Sequence, residues 1–88
     1  IFSMISANLE KGITEGLYRK DVEVTILSKY RLETSFIPFN IQVFPPSKFD
    51  MLKVNLQIIE HFVYGVATLE GHKLMDAYKL SVQNNTIK

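Results

Sequence analysis

Apolar residues recur at three- and four-residue steps at the start of the chain. Phe2, Ile5, Leu9 and Ile13 make one stripe, and Glu10, Lys11, Thr14 and Glu15 fall on other faces. That period predicts an amphipathic helix. Gly16 predicts its end, because glycine takes the left-handed conformation that closes a helix without steric cost. A short connection from Gly16 to Asp21 follows. Asp21 can cap the next helix by accepting from a backbone N–H, and Glu23 suits the positive end of its dipole. The second helix carries Val22, Ile26, Leu27, Tyr30 and Phe36. Its Val-Glu-Val-Thr start has strand propensity, but the spacing of Ile26, Leu27 and Tyr30 favours helix. Pro38 disfavours helical backbone at Ile37, so this helix is expected to end near Phe36.

Residues 38–46 read as an extended connection, yet Ile41, Val43 and Phe44 are too apolar to be left in water. The expectation is a loop laid against the helices. Ser47 followed by Asp50 is a weak capping-box variant directly after Pro45-Pro46, so a third helix is expected to start there. Leu52, Leu56, Ile59, Val63 and Val66 form its main stripe, and Met51, Val54, Ile58, Phe62 and Phe49 widen it past one face. A helix apolar over so much of its circumference must be buried on two sides. Little protein remains within the chain to cover the second side, and a partner chain is the economical explanation. Thr68 can cap a fourth helix whose packing residues are Leu69, Leu74 and Tyr78. The tail 82–88 is expected to be frayed.

Length sharpens this picture. The chain of 88 residues allows one small domain. Domains of this size bury only about 60–65% of their unfolded surface and are marginal alone. There is no cysteine, so neither disulfides nor thiolate zinc can add stability. An intersubunit interface is a natural substitute. The sequence opens on Ile1-Phe2-Ser3-Met4-Ile5, inside an apolar-periodic segment with no cap, which leads to the expectation that further protein precedes Ile1. Domain 1–88 is therefore read as one incomplete unit.

Charge narrows the function classes. Ten Lys/Arg stand against nine Asp/Glu, for a net charge of +1. The longest basic run, Arg19-Lys20, is followed at once by Asp21, so the basic patch that direct DNA binding requires is missing. No apolar run approaches the roughly 18 residues of a membrane span, and no signal-peptide pattern opens the chain. A cytoplasmic protein with no membrane partner is expected.

Candidate chemistry is sparse. His61 and His72 are placed on different predicted helices, with no cysteine or HExxH pair to complete a metal site. Adjacent Glu60 and His61 point about 100° apart on a helix and cannot act as an acid–base pair. The glycines form no phosphate loop. Gly12 and Gly16 fit close helix approach or helix termination, and Gly65 is expected to permit close packing against a neighbour. Asp21, Asp50 and Asp76 fit caps or solvated positions. No nucleophile–base set, metal or cofactor motif emerges, so the chain is read as non-catalytic. The aromatics Phe2, Tyr18, Tyr30, Phe36, Phe49, Phe62, Tyr64 and Tyr78 are more often core than cofactor box. A subset could line an apolar ligand pocket. Its candidates are Phe2, Ile5, Ser6, Leu9 and Tyr30, with Asn8 as a further polar group.

The stretch Gly12-Ile13-Thr14-Glu15-Gly16-Leu17-Tyr18-Arg19-Lys20-Asp21-Val22 resembles a signature of TetR-type transcriptional regulators. In that family a helix ends in a Gly-x-aromatic-Arg-x-Asp turn before the first dimerisation helix. His61 to Leu74, and the Phe44-Pro45-Pro46-Ser47-Lys48-Phe49 link, look similar to the C-terminal helices of a Bacteroidetes-like branch. The resemblance spans roughly residues 10–80. It implies an all-α antiparallel bundle of about four helices, paired with a second copy into a four-helix dimer interface. By position, the pairing helices would be those at about 21–37 and 48–66. Val22, Ile26, Leu52, Leu56, Ile59, Phe62, Val63 and Val66 are the interface candidates. The resemblance also implies a small-molecule effector and a DNA-binding helix-turn-helix head upstream of Ile1. The doubly apolar third helix points to pairing independently of the family. The competing expectation is a helical module that binds another protein along the same apolar surface, with no DNA-linked role.

Overall fold

The computed structural model describes the backbone of residues 2–87 and the side chains of residues 2–82, so Ile1 lies outside it. The described residues form α1 (Phe2–Thr14), α2 (Val24–Thr34), a 3-10 turn (Ile37–Phe39), α3 (Met51–Val66) and α4 (Leu69–Ile87), with no strand among them. The all-helical class expected from periodicity is thus observed. The tail expected at 82–88 falls mostly on residues outside the described side chains, and helical backbone there runs to Ile87.

Local chemistry explains most boundaries. Gly16 has φ +76° and ends α1. The Leu17 N–H donates to Gly12 O at 2.9 Å and the Gly16 N–H to Ile13 O at 3.1 Å, the double closure that a left-handed glycine permits. α2 starts later than the sequence predicts. Its cap is Glu23, in extended conformation and without a side-chain cap bond, so Asp21 does not cap it. Asp21 instead lies 3.8 Å from the exposed Arg19, a surface pair of small energetic consequence. The cause of the delay is Val22. Its side chain is 9% exposed in the core with Leu9 and Val66, which keeps the chain extended until Val24. α2 also ends two residues before Phe36. There the Thr34 hydroxyl donates to Arg31 O at 3.1 Å and the Ser35 hydroxyl to Leu32 O at 2.5 Å, and the 3-10 turn with buried Pro38 follows.

The 38–46 segment turns back on itself. The Asn40 side-chain oxygen accepts from the Gln42 N–H at 3.0 Å, and Phe44 packs edge-on against Phe49 with centroids 5.2 Å apart. The cap of α3 is Asp50, accepting from the Leu52 N–H at 3.0 Å; Ser47 lies outside the helix, correcting the earlier start. Thr68 caps α4 as the sequence predicts, its hydroxyl accepting from the Gly71 N–H at 3.1 Å.

Two helical hairpins result. α1 and α2 run back against each other, joined at mid-length by the Ser6–Ser28 hydroxyl contact at 3.0 Å, and Ser28 is fully buried. α3 and α4 fold back through Glu60–Lys79 and Tyr64–Asp76, whose residue order is antiparallel. The hairpins meet where their connections cross. The Arg19 N–H donates to Val66 O at 2.8 Å and the Thr68 N–H to Leu17 O at 2.9 Å, an isolated antiparallel bridge of Tyr18 with Ala67. Two glycines make this approach possible. A Cβ on Gly71 would sit 2.2 Å from Leu17 O, and one on Gly12 would sit 2.3 Å from the Tyr18 ring. Gly65, expected to serve close packing, faces open space instead.

The core around this crossing is small. Leu9, Val22 and Val66 form it, with Ile5, Ile13, Val24, Leu27 and Phe62 packed against it. The molecule extends 41 × 36 × 18 Å, a slab rather than a sphere. Its radius of gyration of 14.6 Å exceeds the roughly 12 Å of a compact chain of this length.

Candidate functional site

The thin core leaves apolar surface elsewhere, and it concentrates along α3 and α4. Beyond the crossing, these helices touch chiefly through polar groups. The Tyr64 hydroxyl donates to Asp76 at 2.5 Å, Lys79 Nζ donates to Glu60 at 2.6 Å, and His72 Nε2 lies 3.1 Å from Tyr64 O. The hydrogen bond to Asp76, then burial, raises the Tyr64 hydroxyl above its ordinary pKa. The bond to Glu60 likewise raises Lys79. Both shifts favour the protonated forms that hold the hairpin together.

Past the Glu60–Lys79 pair the helices splay. The cleft between them, of about 390 Å³, is walled by Leu56, Ile59, Met75, Tyr78 and Val82. Next to it Leu52 is 64% and Leu56 52% exposed. On α3, Val54 and Val66 are buried and Phe62 is half-buried against the core, while Leu52 and Leu56 are exposed. Among the described residues the apolar circumference of α3 is covered in part only.

The eight residues expected at a dimer interface separate into three groups. Leu52, Leu56 and Ile26 are exposed. Ile59 and Val63 are half-buried and line clefts against α4. Val22 and Val66 lie in the chain's own core, and Phe62 packs against that core while stacking on Tyr30 at 6.3 Å.

The five ligand-pocket candidates are not gathered around one cavity. Leu9 and Ile5 belong to the core, Ser6 is bonded to Ser28, and Phe2 is 38% exposed at the start of α1. Tyr30 borders a cavity. It is about 430 Å³ and lies between α2, the 37–44 segment and α3, where Ile37, Val43, Phe44, Ile58 and Phe62 form the apolar wall. Sequence reasoning missed this wall, though its signal was present: Val43 and Phe44 were already too apolar for a free loop. On the α4 side of the cleft it named Tyr78 but missed Met75 and Val82, which stand at helical spacing from it.

His61 is exposed beside the second cavity, and His72 packs on the Tyr64 ring at 4.9 Å. Among the described residues no group of three or more His, Cys, Asp or Glu is placed to hold a metal ion. None of the described helices is long and apolar enough to cross a membrane. Comparison of the chain with protein-family models, curated proteins and solved structures finds no match.

Proposed function

We propose that this chain is the homodimerisation and effector-sensing domain of a TetR-type transcriptional repressor. It pairs with a second copy along the uncovered side of α3 and the cleft that α3 forms with α4. The observation that carries the reading is the exposure of Leu52 and Leu56, which continue along α3 the same apolar stripe whose Val66 end is buried in the chain's own core. A twofold axis presents the same patch on both copies, so a self-complementary apolar stripe is covered by its own duplicate. Packing of this kind closes an antiparallel four-helix bundle from stripes at three- and four-residue spacing. The family assignment is supported by the Gly12–Val22 and His61–Leu74 resemblances. DNA contact belongs to a helix-turn-helix head outside this chain, and an effector acts through its unequal affinity for the two head spacings.

Leu56 gives the cleanest test because it is 52% exposed in the protomer. Leu56→Asp therefore leaves the protomer's core untouched but places a charge in the paired interface. The chain is expected to sediment as a dimer at micromolar concentration, and Leu56→Asp as a monomer with the same helical circular dichroism. A folded wild-type monomer would sink the dimer. The repressor half is tested by the coding sequence upstream of Ile1, where a basic helix-turn-helix is expected.

A further inference from the structure

We draw no further inference here: the strongest candidate, the open apolar groove between α2, the 37–44 segment and α3 with Tyr30, Val43, Phe44 and Ile58 in its wall, carries nothing because nothing in the structure shows what covers it.

Discussion

The two ends of α3 are similar in sequence and opposite in environment. At its C-terminal end, Val66 is 3% exposed and its carbonyl accepts from the Arg19 N–H. At its N-terminal end, Met51 and Leu52 are 45% and 64% exposed. Apolar character does not separate them. Backbone does: the C-terminal end is where two interhelix connections bridge each other, with Gly12 and Gly71 small enough to admit them. Among the described residues the N-terminal end has no such backbone stitch, and α3 meets α4 further along through the Glu60–Lys79 pair. The crossing is thus finished within the chain, while the far end of α3 leaves Met51, Leu52 and Leu56 exposed.

The largest effect that tests this contrast is truncation within the crossing. Leu9 is 2% exposed, so Leu9→Ala should cost about 3 kcal/mol in urea unfolding. Leu52→Ala should cost the protomer under about 0.5 kcal/mol. Any larger cost at Leu52 should grow with protein concentration, as a contact between copies requires. Equal, concentration-independent costs at the two positions would erase the distinction between the ends.

Glycine substitutions give a smaller and sign-changing version of the same test. Gly71→Ala drives a methyl into the Leu17 carbonyl, a backbone atom that cannot swing aside. Strain of that kind costs about 2 kcal/mol. Gly65→Ala meets open space, so it should stabilise α3 by about 0.5 kcal/mol through helix propensity alone. A shift in the same direction for both in chemical unfolding would show that the crossing is looser than its distances.

These contrasts show what the sequence could carry. Helix count and type followed from the apolar period, and Gly16 and Thr68 were readable as punctuation because their chemistry is local. Caps at Glu23 and Asp50 were misplaced because two adjacent segments offered competing polar residues, and burial of Val22 decided the first. The α3 stripe raised the expectation of a second covering surface, and Leu52 and Leu56 are exposed in the protomer. The bridging of Tyr18 with Ala67 was illegible, since its partners are far apart in sequence and bond through backbone. Gly12 and Gly71 carried no hint of which atoms they admit. The ligand candidates on α1 failed to gather because that helix spends its apolar face on the core, and the cavity formed instead under the 37–44 segment.

The smallest expected effect concerns the polar ties between α3 and α4, and it appears only in alkali. Tyr64 is held above its ordinary value of 10.0 chiefly by its hydrogen bond to Asp76, and Lys79 above 10.5 chiefly by its bond to Glu60. In both cases the folded chain binds the proton more tightly than the unfolded one. The stability they contribute is therefore present in full below the ordinary values and is lost as pH rises through the raised ones. Neutral and mildly acidic solutions leave it intact. The crossing, held by backbone hydrogen bonds and apolar burial, has no such dependence. Urea midpoints measured from about pH 8 to pH 11 should fall above pH 10, and a Tyr64→Phe, Lys79→Met double variant should fall less steeply. Helicity of the double variant at pH 7 should match the wild type, because the crossing and not these ties sets the fold. Parallel curves for the two proteins would mean that the splayed half contributes nothing to stability through Tyr64 and Lys79, and that its geometry is set by the crossing alone.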